Sequence, residues 1–317
     1  MSANPRKEMF RTVLVTAADN GIRVDLFVSR GMGGVSRKRL GRIFDEKVVK
    51  VNGRPAVKGA ILAEGDRVEF PAAPLPADSV IPDPEVKFDV VFENGRIAIV
   101  EKCAGTPTHP NRSDETGTLA NGLVHRWPAI AGVGGKPLEP GLVHRLDNGT
   151  SGLMVVALTA DAFTDLRRSF TTGAVRKEYL AVVEGLAPRS GVIDRPLAHD
   201  ARNNRLMKVY EGVRDRCRGK TWPATTEFSL VSAHGGFSLV RLLIEGGIMH
   251  QIRVHMAFAG HPVAGDLLYG SAVKIGDGSA FLLHASRLAF IDPAAGESHD
   301  FRSGPPSRFG LFLTENG

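Results

Sequence analysis

The chain is poor in the residues on which several kinds of chemistry depend. It has two cysteines in 317 residues, Cys103 and Cys217, without ligand spacing and too few for a framework, so neither a structural zinc site nor a disulfide-stapled module is supported. The longest apolar run is about six residues, against the ~20 that span a bilayer. No membrane partner is implied. The start, MSANPRKEMFRTVLV, lacks a secretory hydrophobic region, and a cytoplasmic protein is expected. His250 and His255 are five apart with no Glu between them. Two histidines gripping one metal from a helix need a spacing of four, which disfavours a zinc hydrolase, and no metal is expected. A G-x-S-x-G elbow and a P-loop are also missing. Lone histidines such as His109, His199 and His234 read as ordinary surface or core residues.

With 43% hydrophobic content over this length, a small domain and a larger one are affordable to build. The net charge of +6 is unevenly placed: residues 21–58 hold ten basic side chains against three acidic ones, leaving the remainder near neutral. Such clustering suits a polyanion, with a solvated basic face as the bland alternative. From Pro71 to Pro84 there are five prolines in fourteen residues, which favours an extended, semi-rigid linker. The expected organisation is an extension over 1–19, a small domain over 20–72, a linker over 73–85 and a second domain over 86–317.

In the first domain, Ser36 can cap a helix whose Leu40, Ile43 and Phe44 share a face, while Arg37, Lys38, Arg39 and Arg42 crowd the other. Asn52-Gly53 signals a tight turn between strand-like runs, with Lys47, Lys50 and Arg54 nearby. These seven basic residues are the candidate nucleic-acid contacts. In the second domain, Thr159 or Asp161 can start a helix with Phe163, Leu166 and Phe170 on one face and Gly173 at its end. RKEYLAVVEG and FSLVRLLIEGG read as strands, and MHQIRVHMAFAG as a helix placing His250 and Arg253 on neighbouring positions of one face. With no regular βαβ period, the expected class is α+β with a mixed, largely antiparallel sheet. A second basic run, Arg202 to Lys220, is open between backbone contacts and a flexible charged loop.

Within GLVHRLDNGTSGLMVVA, Asp147 follows an arginine by two positions and precedes a buried-looking strand. It is either half of a structural ion pair or a reactive carboxylate. An aspartate, a tyrosine and arginines can do nucleophilic or acid–base work without a cofactor.

Three ordered segments carry a resemblance. GLVHRLDNGTSGLMVVA is similar to the H-R-L-D-x-x-T-S-G-L signature of the RluA-type pseudouridine synthases. RKEYLAVVEG resembles their K-x-Y-x-A segment, and MHQIRVHMAFAGHPVAGDLLYG their H-Q-I-R…G-D…Y-G segment. The first domain resembles the small RNA-binding domain first described in a small-subunit ribosomal protein of bacteria. The resemblance implies a cofactor-free uridine isomerase with Asp147 as nucleophile, Arg253 holding it ionised, and Tyr179 stacking on the uracil and moving a proton. It implies that Arg145 fills the space left by a flipped uridine, and that His144, Thr150, His250 and Gln251 bind substrate. A monomer acting on RNA is expected, large-subunit ribosomal RNA being preferred over transfer RNA. The alternative is a non-catalytic RNA-binding or ribosome-assembly factor. One departure stands out: Ile248 occupies the place of an arginine usual in the family.

Overall fold

The structure is a computed structural model that describes residues 10–32, 37–45, 47–71, 79–203, 205–212, 217–278, 280–294 and 296–316, apart from the side chains of 37–39 and 42. It divides into two compact units, Met1–Asp78 and Ser79–Gly317. The first contains β1 (Phe10–Leu14), α1 (Val24–Gly31), α2 (Arg37–Asp45), β2 (Lys50–Val51), β3 (Arg54–Pro55) and β4 (Arg67–Pro71). The strands form one sheet in the order β1-β4-β2-β3. Leu40, Ile43 and Phe44 of α2 join Val24, Phe27, Val28, Val68 and Phe70 in a shared core, as their spacing requires. Asn52 and Gly53 both take positive φ (51° and 80°), the geometry of a type I′ hairpin turn. Ser36 and the side chains of Arg37, Lys38, Arg39 and Arg42 lie outside the described residues; Lys47 and Arg54 are exposed and Lys50 is half-buried.

The second unit is built on a nine-stranded sheet. Its strands are β5 (Phe88–Glu93), β6 (Ile97–Lys102), β7 (Ser151–Ala157), β8 (Arg176–Glu184), β9 (Ser190–Asp194), β13 (Thr225–His234), β14 (Phe237–Ile244), β15 (Leu283–Ile291) and β16 (Ser298–Arg302). The order is β5-β6-β7-β15-β8-β14-β13-β9, with β16 on β15. Only β7 and β15 pair in parallel, through His284 with Ser151 and Ala285 with Gly152; the remaining ladders are antiparallel. The fold is thus α+β with a mixed, largely antiparallel sheet. All seven residues of β7 are buried, which explains why its sequence is a continuous apolar run rather than an alternating one. Helices α3 (Leu119–Arg126), α4 (Ala160–Thr171), α5 (Gln251–Phe258) and α6 (Ser307–Glu315) complete the unit. Thr159 caps α4, its Oγ1 accepting from the Ala162 amide at 3.2 Å.

Three segments differ from expectation, the first being Phe10–Leu14, which falls within the expected extension and is instead paired with β4 in the first sheet. The end of the Pro-rich stretch is not a free linker: Val80 is buried in the sheet core, and the Ile81 carbonyl accepts from Asn121 Nδ2 at 2.7 Å. Asn121 in turn closes a capping box with Thr118 at the start of α3. The run Arg202 to Lys220 contributes to a three-stranded sheet made of β10 (Leu197–Asp200), β11 (Met207–Val209) and β12 (Cys217–Trp222). Alternation is hidden there by charged residues on the outer face. Its inner residues Leu197, Met207 and Val209 pack with Ala224 and with Val254 of α5.

Gly152, with φ of +114°, lies where β7 meets β15, and a Cβ there would fall on the Ala285 carbonyl oxygen. Both backbones are fixed by the ladder, so Gly152→Ala should destabilise the unit by at least about 2 kcal/mol. A urea midpoint equal to wild type would show that the parallel pair is not so tightly closed.

Candidate active site

The backbone around Asp147 is pinned on both sides. Before it, the buried Thr108 hydroxyl donates to the Leu146 carbonyl at 2.7 Å. After it, Lys102 Nζ donates to the Asn148 carbonyl at 3.1 Å, and also to the carbonyls of Thr106 at 2.7 Å and Cys103 at 2.9 Å. The Lys102 ammonium, fully buried at the end of β6, thereby uses all three donors on backbone. Burial pushes its pKa down to about 7, opposed by the charge of Asp147. The turn closes as the Thr150 amide donates to the Asp147 carbonyl at 3.1 Å.

Arg253 meets Asp147 from the first turn of α5. Its NH1 donates to Asp147 Oδ2 at 2.9 Å, while Nε and NH2 form a fork on Asp266, at 2.6 Å to Oδ2 and 2.9 Å to Oδ1. The guanidinium lies against the rings of Phe281, 4.4 Å away, and Tyr269, 4.9 Å away. Despite desolvation, the two carboxylates hold the Arg253 pKa above its ordinary value, so the cation persists. The ion-pair reading of Asp147 is therefore right as geometry, but it does not exhaust the residue. The Asp266 side chain is 2% exposed and holds the fork, whereas Asp147 keeps 18% of its side chain open into a cleft of about 390 Å³.

His250 precedes α5 in a left-handed conformation, φ 58°, instead of sharing a helical face with Arg253. Its Nδ1 lies 2.7 Å from the Tyr269 hydroxyl, and that hydroxyl already accepts from the Met207 amide at 3.0 Å. Nε2 lies 3.9 Å from Asp147 Oδ1. Desolvation lowers the His250 pKa, with the charge of Asp147 opposing.

Tyr179, 7% exposed on β8, lines the cleft with Asp147, Thr150 and Ile248. Burial, aided by the charge of Asp147, pushes its phenol pKa up. Arg145 is exposed at the rim, its NH1 donating to His109 Nε2 at 3.3 Å, so His109 is more than a surface histidine. Two expected substrate contacts are occupied internally. Gln251 donates to the Thr225 carbonyl at 2.9 Å and to Thr226 Oγ1 at 3.2 Å, and accepts from the Ile248 amide at 3.1 Å. His144 Nε2 accepts from the Val155 amide at 3.1 Å and its ring stacks on Phe170 at 4.7 Å. Ile248 packs beside Met249 and Tyr269 on the small core under β10–β12, an apolar wall where the resembled family carries a cation.

Lys102, Thr108, Asp266 and Tyr269 escaped the sequence reading. Lys102 had a signal: period-two alternation in IAIVEK sets it on the face of Ala98 and Val100, an inward position for a charge. Asp266 and Tyr269 stand in the GHPVAGDLLYG segment, but nothing local shows that they reach Arg253 and His250. Among the described residues no cluster of His, Cys, Asp and Glu is arranged to hold a metal, and no helix is long and apolar enough to cross a membrane.

A model of the RNA pseudouridylate synthase family matches residues 96–258, the stretch that supplies Lys102, Asp147, Tyr179 and Arg253. The chain belongs to this family. It is 34% identical over 298 residues to the ribosomal large subunit pseudouridine synthase D of Neisseria meningitidis serogroup A, covering 90% of this chain and 76% of that one. It is also 34% identical over 285 residues to an uncharacterized RNA pseudouridine synthase of Bacillus subtilis, covering 90% of each. The human RNA pseudouridylate synthase domain containing 1 shares the fold with a TM-score of 0.57 and 27% identity, over 74% of this chain and 89% of that one. The synthase is accordingly an isomerase of the RluA type that acts on RNA.

Burial and the nearby Lys177 charge lower the His144 pKa from 6.5 to about 3, whereas the unfolded ring takes up its proton near 6.5. The unfolded state thus binds more protons in that window, and stability falls as pH drops from about 6.5 towards 3. His144→Gln, which can still accept the Val155 amide, should make that acid limb shallower by up to one proton. Urea unfolding across a pH series measures it, and an unchanged slope would exclude His144 as the titrating group.

Proposed function

We propose that Asp147 is the nucleophile of the uridine isomerisation, that Arg253 keeps it ionised, that Tyr179 carries the uracil, and that the target lies in large-subunit ribosomal RNA. The observation that carries the catalytic part is the division of labour at Arg253. Asp266 takes the fork and fixes the guanidinium, and NH1 engages Oδ2 of Asp147 alone. Oδ1 is left towards the cleft and His250. A charge-assisted contact to one oxygen favours the ionised carboxylate without blocking the other.

The reaction breaks the N1–C1′ bond, turns the uracil and joins C5 to C1′; C5 loses a proton, N1 gains one, and no redox change occurs. Asp147 Oδ1 assists departure of the base from the anomeric carbon. Tyr179 offers a ring for stacking, and its raised pKa keeps the phenol neutral, suiting a proton relay that never holds a full negative charge. Because the bond is inaccessible in a stacked helix, the uridine must be flipped out, at a cost of a few kcal/mol. Arg145, exposed at the rim, is read as filling the gap, and His250 as lining the cleft beside Asp147. Thr150 contributes to the wall, while Gln251 and His144 serve by holding the backbone of the site.

The ribosomal target is supported by the relative from Neisseria, whose name states that substrate, and by the basic first unit. Family membership and the complete Asp147–Tyr179–Arg253 set speak for catalysis over a non-catalytic assembly factor. We read the first unit as the electrostatic grip on RNA.

Asp147→Asn preserves shape and removes the charge, so turnover should fall by more than about 10⁴-fold while RNA affinity stays within about threefold. Pseudouridine formation by the purified variant at a substantial rate would sink the assignment. Sequencing of pseudouridines in a strain lacking the gene should show loss from large-subunit RNA; loss from transfer RNA alone would overturn the target.

The grip is tested separately by replacing Lys47, Lys50 and Arg54 with Gln. Each phosphate contact contributes roughly 0.7–0.9 to the slope of log affinity against log salt, so the triple variant should flatten that slope by about two units. Its single-turnover rate on saturating RNA should hold. Equal slopes would reassign this charge to a solvated face.

A further inference from the structure

One cation in the cleft has no part in the chemistry above. Lys177 precedes Tyr179 by two residues on β8, so its side chain leaves the same face of the strand, and both line the cleft. The residue is 7% exposed, yet among the described residues its ammonium meets no carboxylate and no hydrogen-bond acceptor. Its neighbour is the Phe170 ring, with Nζ 5.7 Å from the centroid. Space in front of it is kept open by a glycine, since a Cβ on Gly247 would sit 3.0 Å from Nζ.

The stem is buried, while the ammonium opens onto the cleft and no group of the described residues closes it. Burial pushes its pKa down to about 8, which still leaves it largely protonated at neutrality. The contrast with Lys102 is direct: fully buried, that lysine spends its three donors on carbonyls. Arg167 also lines the cleft, with NH1 on the Val143 carbonyl at 2.9 Å and no carboxylate opposite it. Asp147, the acid of this cleft, is already engaged by Arg253. The far end of the cleft is therefore a site of positive potential lacking its anion. A uracil carbonyl is only a dipole, whereas a phosphodiester brings the formal charge that a desolvated ammonium needs, and a nucleotide extruded into the cleft carries one on each side.

We propose that Lys177, with Arg167 at the rim, forms a phosphate subsite that takes an RNA phosphodiester adjoining the flipped uridine. The proposal rests on reading the cleft as the uridine site. It makes Lys177 a residue that recognises how deeply the nucleotide is seated, separate from the group that attacks it.

The test uses the full-length synthase and a short RNA substrate bearing a single neutral methylphosphonate, placed either 5′ or 3′ of the target uridine. On wild type, one of the two placements should weaken binding by about tenfold or more, the size of a lost charge-assisted contact. Lys177→Gln should weaken the all-phosphate RNA by the same factor and lose most of the discrimination against that methylphosphonate; Lys177→Arg should restore both. If Lys177→Gln discriminates as wild type does, so that the two changes simply add, the ammonium does not touch a phosphate and the proposal falls. Thermal melting of Lys177→Met provides an independent arm. Removing a charge that no group of the described residues pairs should leave the midpoint unchanged or raise it, and a clear loss of stability would mean that the ammonium already has its partner. These readouts are binding and stability, so they stand apart from the Asp147→Asn turnover that tests the uridine-site reading.

Discussion

Everything at this site depends on one buried guanidinium. Arg253 is 5% exposed, and taking such a cation from water is worthwhile only if its donors are met with good geometry. Asp266 meets two of them in a planar fork and the rings of Phe281 and Tyr269 cover the faces. Orientation is thus set by residues that never need to touch substrate. Of the three N–H groups left, one on NH1 is aimed at a single oxygen of Asp147. A lysine in this position would supply the charge without the fork, and the partition between Asp266, held by the fork, and Asp147, open to the cleft, would be lost.

Such an arrangement works only if Asp147 is presented by rigid backbone, and the chain supplies that from distant segments. Lys102 at the end of β6 and Thr108 beyond it clamp the peptide groups on either side. β7, which leaves the same turn, is locked against β15 by the parallel pair. On the opposite wall the Met207 amide reaches the site through Tyr269 and His250. The small sheet β10–β12 is therefore tied by hydrogen bonds to a ring beside Asp147.

How much of this was legible in the sequence follows from the range of each interaction. Helix α4 was readable to its cap, because Thr159, the Phe163–Leu166–Phe170 face and Gly173 act within a few residues. The Asn52-Gly53 turn was readable for the same reason. Asp147, Tyr179 and Arg253 were singled out as residue types with chemistry, but their meeting was visible only through resemblance; Arg253 and Asp147 are joined across 106 positions. The strand order was not legible, since β15 inserts between β7 and β8 from more than a hundred residues downstream. His250 was misplaced onto a helical face because no local rule reports a left-handed residue at that spot. The Pro-rich stretch was read by composition as a linker, while Val80 and Ile81 follow a tertiary demand that composition does not encode.

The two inward-facing lysines show how partners separate one buried charge from another. Lys102 and Lys177 both lie on sheet strands, both face inward, and in both burial pulls the pKa down. A ranking by burial or by perturbed titration would treat them alike. Partner accounting does not: one ammonium is closed by three carbonyls of its own chain, the other faces an aromatic ring and a glycine. A polar group fully enclosed in a folded protein finds its partner there, whereas a charge that lines a cleft without one is left to solvent or to a ligand. By that criterion the same cleft has one side completed by the protein, around Arg253, and another left open at Lys177.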